Sequence, residues 1–307
     1  MTRLTKNWLI QVLIGLWSLT IVGCTFDPGI EYIEIRDDAG PVGELEAAEV
    51  PTGVVRRIPL PEAPRTYIFI LGGQSNMSGR GLISSLPKGY PFHGHQILNF
   101  TNAYGLVPAT EPIDSNIGQV DRISIEGGEP GVGPGLVFAD SIAASLSEDD
   151  TIVLVPCAKG GSTTQDWAFS YFRNSLFGSC IDRALRARAL TGGDFAALRW
   201  YQGESDSVSP ETAEGWASRT QAIWDNFRQS LGESGLPILY VRLPESFPAI
   251  YTGWRTTQAE QSFLMSVERR QIWIQAPSLI NPDQIHLSTA GHLILGQQMA
   301  TVWLSLR

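Results

Sequence analysis

The sequence predicts an α/β fold, a three-layer α/β/α sandwich on a mainly parallel five-stranded sheet. Two observations carry that expectation. Short runs such as Tyr67-Ile68-Phe69-Ile70-Leu71 are apolar at every position and end at glycine, as strands buried on both faces do. These runs alternate with longer amphipathic stretches, and that alternation implies parallel strands covered by helices on both sides.

Taken in order, strands are predicted over 67–71, 97–100, 151–156, 197–201 and 237–243. Helices are predicted over 135–146, 174–190, 210–231, 256–270 and 288–304. Between 100 and 133 the chain is loop-like and dense in Gly, Pro and Asp. Loops at the strand ends of open α/β sheets usually shape the site. No internal repeat or low-complexity block interrupts the pattern.

The amino terminus is built differently. Arg3 and Lys6 precede an apolar segment from Trp8 to Val22, followed by Gly23-Cys24. That segment is short for a bilayer span of roughly 20 residues and suits a signal-peptide core. Ile21-Val22-Gly23-Cys24 resembles a bacterial lipobox, which implies cleavage after residue 23 and lipidation of Cys24. An uncleaved anchor or an ordinary secretory signal is the alternative. Residues 24–65 are acidic and rich in Pro, Gly and Ala, and read as an extended tether with a candidate short strand at 32–35. Residues 66–307 read as one catalytic domain. The expected location is outside the cytoplasm, at a bacterial periplasmic or cell surface, with membrane contact only through the lipid.

The rest of the composition narrows the classes. With 43% hydrophobic and 17% charged residues, the 307-residue chain is ordinary for a globular protein. A net charge of -9 without a basic stretch argues against a nucleic-acid partner. Cys157 and Cys180 could form a disulfide after export or stay as buried thiols. No Cys/His spacing suggests a metal.

Four segments carry the chemistry: Gly72-Gly73-Gln74-Ser75-Asn76-Met77 after the first strand, Lys159-Gly160-Gly161-Ser162 after the third, Trp200-Tyr201-Gln202-Gly203-Glu204 at the end of the fourth, and Asp283-Gln284-Ile285-His286 near the carboxyl terminus. Parallel strands share one carboxyl edge, so these segments can meet there. A serine hydroxyl needs a base, and histidine is the usual one near neutral pH. Of the four histidines, only His286 has a carboxylate close upstream, Asp283. A spacing of three lets both side chains leave one tight turn. His93 and His95 have no acid nearby in sequence, and His292 falls in the first turns of the last helix. Elimination leaves His286 as the base. Trp167, just past the second segment, is the best candidate among the tryptophans to stack on a sugar ring.

These segments, in this order, resemble the SGNH hydrolase superfamily, specifically its sialate O-acetylesterase-like branch, which includes carbohydrate esterase family six. The resemblance covers Thr66 to the end. It implies a flavodoxin-like strand arrangement and removal of O-acetyl groups from carbohydrates through an acyl-serine, with no metal or organic cofactor. It implies Ser75 as nucleophile, His286 as base and Asp283 as the acid orienting it. The oxyanion hole would be the Ser75 N–H, the Gly160 N–H (Gly161 is the fallback) and the Gln202 carboxamide. Gln74, Asn76, Gly161, Trp167 and Glu204 are candidate substrate contacts. Two departures stand out. Gln74 replaces the aspartate that ordinary members carry before the serine, and Thr164 falls where relatives commonly have an aliphatic residue. A lipase or general esterase is one alternative, although Met77 replaces the second glycine of G-x-S-x-G. A non-catalytic glycan-binding surface lipoprotein is the other.

Overall fold

Along the first strand, side chains divide between two cores. Ile68 and Ile70 join one buried cluster, whereas Tyr67, Phe69 and Leu71 join another, because successive strand residues face opposite sides. The computed structural model describes residues 63–114 and 130–307. The signal segment 1–23, Cys24, nearly all of the tether with its candidate strand, and residues 115–129 lie outside the described residues.

The strands are β1 (Thr66–Gly73), β2 (Ile97–Phe100), β3 (Leu106–Pro108), β4 (Thr151–Pro156), β5 (Asp194–Tyr201), β6 (Ile238–Arg242) and β7 (Gln271–Gln275). They form a seven-stranded sheet in the order β3-β2-β4-β1-β5-β6-β7. Every pairing is parallel except β2 with β3. All five expected strands are present, so the α/β sandwich holds. The sheet is wider than expected by its two edge strands. β3 is three residues long inside a loop-like region. β7 follows a helical pattern too closely to stand out. With the β2–β3 pair set aside at one edge, the remaining strands run β4-β1-β5-β6-β7, which is the flavodoxin-like order 2-1-3-4-5.

The helices are α1 (Ser75–Ser78), α2 (Pro134–Ala143), α3 (Leu176–Thr191), α4 (Pro210–Ala213), α5 (Trp216–Leu231), α6 (Trp254–Phe263) and α7 (Thr289–Ser305). On one face of the sheet, Leu136 and Phe138 of α2 and Leu295, Met299 and Trp303 of α7 pack over Phe69 and Leu71. Phe138 and Trp303 meet the Phe69 ring edge-on at 4.8 and 5.2 Å. On the other face, Phe177 and Ile181 of α3 and Trp224 and Phe227 of α5 cover Ile68 and Ile70. Two expected helices are shorter than their patterns. The 210–231 pattern breaks at Gly215, whose φ of 72° ends one helix and starts the next. The 256–270 pattern stops at Phe263, and Ser266 then bridges to Gln271. Ser175 and Ser288 cap α3 and α7 by accepting from Gly178 and Gly291 N–H.

Cys157, one residue beyond β4, is disulfide-bonded to Cys180 of α3. That answers the question the sequence left open. The covalent link ties α3 to the strand end from which the Lys159–Ser162 turn springs.

Candidate active site

The serine's position is decided by the two residues before it. β1 runs to Gly73, whose φ is 123° and where an added Cβ would lie 2.1 Å from the Tyr201 carbonyl oxygen. Only glycine passes β5 that closely. The next residue, Gln74, donates its N–H to that same carbonyl at 2.8 Å, and the chain turns into the single helical turn of α1. Ser75 opens this turn, so its N–H has no partner among the described residues, as at any helix start. The side chain is 6% exposed, buried but open to the cavity above.

A second turn supplies the imidazole. Gln284 takes φ 63°, and Asp283 Oδ1 accepts the N–H groups of both Ile285 and His286 at 3.0 Å. Its other oxygen, Oδ2, lies 2.7 Å from His286 Nδ1, and His286 Nε2 lies 2.9 Å from Ser75 Oγ. An ionised carboxylate only accepts, so the proton belongs on Nδ1 and Nε2 is left to accept from the serine. Partial burial works to raise the Asp283 pKa. The backbone N–H groups of His286 and Ile285 and the imidazole outweigh it, and the carboxyl is held below its ordinary value. Asp283, His286 and Ser75 thus form one hydrogen-bonded chain that can move a proton away from the hydroxyl.

They border a cavity of about 340 Å³ lined by Gln74, Ser75, Gly160, Gly161, Glu204 and His286, among others. It lies at the carboxyl ends of β1, β4 and β5. A larger hollow of about 550 Å³, lined by Asp225, Arg228 and Arg269 among others, lies near the carboxyl end of α5. It presents no base-coupled nucleophile.

The Lys159–Ser162 turn is pinned to β1. Lys159 N–H donates to the Gly73 carbonyl at 3.0 Å, and Ser162 N–H closes the turn onto Lys159 O at 3.2 Å. Gly161 takes φ 73° within it. Gly160 and Gly161 therefore stand beside Ser75 where the sequence placed them.

Gln202 does not. It is fully buried. Its Oε1 accepts from Trp216 Nε1 at 2.8 Å, while its Nε2 donates to Asp206 Oδ2 at 2.6 Å and to the Ser162 carbonyl at 3.1 Å. A buried carboxylate is the stronger acceptor, and it draws the amide away from the cavity. The same Asp206 accepts from Thr164 N–H and Oγ1 and from Arg219, so Thr164 is part of the tie between the second and third segments.

Trp167 is corrected too. It is fully buried and edge-on to Trp200 at 5.0 Å. Its indole N–H donates to Ser162 Oγ at 3.0 Å, so it supports the turn from beneath rather than meeting a sugar. Glu204 lines the cavity with its Oε2 buried and unpartnered. Burial, chiefly, pushes its carboxyl up to about 7, against the pull of the Asn76 hydrogen bond. His292 is buried in α7, and desolvation lowers it to about 3, which fits a packing role. His93 does have an acid beside it, Asp140 Oδ1 at 3.3 Å from Nδ1. That acid comes from α2, out of reach of any local pattern.

Asn76, a candidate substrate contact by sequence, is instead fully buried and bonded to Glu204 and to the peptides beside His286, whereas Arg80, Lys159 and Tyr251, which sequence reasoning passed over, line the cavity. Tyr251 comes from a distant loop after β6 and carries no local signal. Lys159 is the first residue of the second segment and could have been found there.

Comparison with known proteins agrees with this geometry. Residues 65–305 match the model of a family described as carbohydrate esterase, sialic acid-specific acetylesterase. A probable carbohydrate esterase of Arabidopsis thaliana is 30% identical over 256 residues, covering 79% of this chain and 92% of that protein. The crystal structure of the same plant protein superposes with a TM-score of 0.65 over 79% of this chain and 99% of its own. NanS, at 13% identity, superposes with a TM-score of 0.54 over 79% of this chain and 97% of its own. A carbohydrate acetylesterase from Xanthomonas citri, at 18% identity, gives 0.52 over 78% of this chain and 55% of its own. These last two show the shared fold alone. By the family match and the plant relative, the chain belongs to the sialic acid-specific acetylesterase family of carbohydrate esterases.

Proposed function

We propose that the protein removes O-acetyl groups from a carbohydrate through an acetyl-serine intermediate, and that it does so outside the cytoplasm. The observation that carries this reading is the continuous link from Asp283 through His286 to Ser75, at 2.7 and 2.9 Å. In the forward step, Ser75 Oγ attacks the acetyl carbonyl as His286 Nε2 takes its proton. The tetrahedral intermediate collapses, the sugar oxygen leaves with that proton, and the acetyl group stays on Ser75. Water, deprotonated by His286, then releases acetate. Asp283 holds the ring in the required tautomer and stabilises the imidazolium.

The negative oxygen of the intermediate needs fixed donors. The unpartnered Ser75 N–H supplies one, and the Gly160 turn stands on the same side. Arg80, Lys159, Glu204 and Tyr251 give the cavity a polar lining, which suits a sugar ring better than a long acyl chain. The family and the plant relative support a carbohydrate substrate. Export is supported by the lipoprotein-like amino terminus and by the Cys157–Cys180 disulfide, a bond that reducing compartments disfavour.

Hydrolysis of an aryl acetate tests the chemistry. Ser75→Ala should lose it by about a thousandfold or more while melting like the wild type, and a serine-reactive organophosphonate should label only the unaltered protein. Full activity in Ser75→Ala overturns the reading. Acetate release from acetylated xylan, O-acetylated sialic acid and simple sugar acetates then identifies the substrate.

A further inference from the structure

We propose that the segment closed by the Cys157–Cys180 disulfide builds a second sugar subsite beside the catalytic cavity, so that the substrate is an O-acetylated sugar within a glycan chain. This rests on the carbohydrate esterase reading above. A hollow of about 370 Å³ adjoins the cavity at Ser75 and is lined by Lys159, Gly160, Gly161, Asp166, Asn174 and Ser175, among others. Lys159, Gly160 and Gly161 line the catalytic cavity as well. The turn beside Ser75 is therefore a ridge between two depressions, each the size of a small-ligand site. A chain lying across the ridge places its acetylated residue at Ser75 and the next residue in the hollow.

Every residue lining the hollow falls between Cys157 and Cys180. One covalently closed segment thus forms both walls, the Lys159–Ser162 turn on one side and the start of α3 on the other. Lys159 is half-buried, and its ammonium makes no ion pair with the described residues. Its three N–H donors are left to meet hydroxyl or ring oxygens. Phe169, Tyr171 and Phe172, on the loop that leads into the α3 wall, are 45%, 67% and 76% exposed. Single exposed apolar residues are ordinary, but three aromatic rings within four positions form a patch. The loop that carries them is anchored. Ser175 Oγ donates to the Phe172 carbonyl at 2.8 Å. The Phe169 ring lies 5.4 Å from that of Phe177 in α3, and Tyr171 meets Phe169 edge-on at 4.7 Å. A pyranose offers an apolar C–H face to such rings and hydroxyls to a polar hollow. The shared ridge selects a glycan over a protein partner, because one occupant then spans patch, hollow and catalytic cavity.

Chemically acetylated tetrasaccharides of xylose, glucose and mannose, each assayed beside the acetate of the matching methyl glycoside, test this. An aryl acetate serves as reference. We expect the wild type to prefer at least one tetrasaccharide over its methyl glycoside by about tenfold or more in kcat/KM, since a filled subsite adds binding energy. Replacing Tyr171→Ala and Phe172→Ala together should remove that preference, mainly by raising KM. Rates on the methyl glycoside and aryl acetates should stay within about twofold, and the melting temperature should hold, because both rings are exposed. The unacetylated form of the preferred tetrasaccharide should shift the Asn174 side-chain amide signal in the wild type and not in the double variant. A wild type that prefers no tetrasaccharide overturns the proposal. So does a preference that survives the double replacement, or one lost together with the rate on the aryl acetate. If the aryl acetate is hydrolysed and no sugar acetate is, the carbohydrate reading itself fails and takes the subsite with it, so the two failures are distinct.

Discussion

Asn76 holds His286 by the peptide groups on either side of it. Its Nδ2 donates to the Ile285 carbonyl at 3.0 Å, and its Oδ1 accepts from the Leu287 N–H at 2.9 Å. The residue after Ser75 is therefore bonded to both neighbours of His286. Serine and histidine lie 211 positions apart in sequence, yet one short amide sets their separation.

Replacing Asn76 with alanine should loosen that grip. Misplacement of a base by about 1 Å can cost a hundredfold in rate, and the three hydrogen bonds of Asn76, to Glu204 as well as to Ile285 and Leu287, are worth about 1 kcal/mol each. We expect kcat to fall ten- to a hundredfold with KM little changed, and the melting temperature to fall by several degrees. Steady-state kinetics on an aryl acetate beside a thermal melt would check both. Unchanged kcat would show that the turn around Asp283 holds His286 unaided.

Glu204 gives a pH prediction for stability. Its carboxyl is raised from 4.5 to about 7 by burial, so the folded protein binds the proton more tightly than the unfolded chain. The stability this contributes is complete below pH 4.5 and is lost as pH rises through 7, an effect of about 3 kcal/mol by linkage. Glu204→Gln keeps an acceptor for Asn76 Nδ2 and cannot ionise. Between pH 5 and 8 the variant should lose less stability than the wild type in urea titrations. Parallel curves would mean that Glu204 stays charged when folded.

The Cys157–Cys180 disulfide closes a loop of 23 residues in sequence separation. Restricting the unfolded chain over such a loop is worth about 3 kcal/mol. The double replacement Cys157→Ser with Cys180→Ser should lower the unfolding free energy obtained from urea titration by that amount. It should leave kcat at 25 °C within a few fold, because Lys159 remains bonded to Gly73.

What could be read in the sequence was whatever depends on neighbours along the chain. The five inner strands show as mostly apolar runs, since strands covered on both faces admit few polar residues; Asn99 and Arg199 sit in two of them. Asp283 and His286 are legible as a pair because one turn joins them. Gly73 and Ser75 are legible because a strand that ends at glycine and presents a serine is a local event. The edge strands escape, being too short or too close to a helical pattern. Trp167 escapes as well: an indole in the core and an indole on a sugar look alike until their surroundings are known.

The sequence by itself determined the layered α/β architecture and the pairing of Asp283 with His286, since each rests on a local period or spacing. Only the tertiary structure decided which way the amides face. Gln74 and Gln202 are the same residue type in neighbouring loops. Asp206 and Ser162 set the turn of the Gln202 amide, and Gly203 and Ser205 that of Gln74, because a carboxamide turns its two ends toward whatever donors and acceptors the folded chain brings to it.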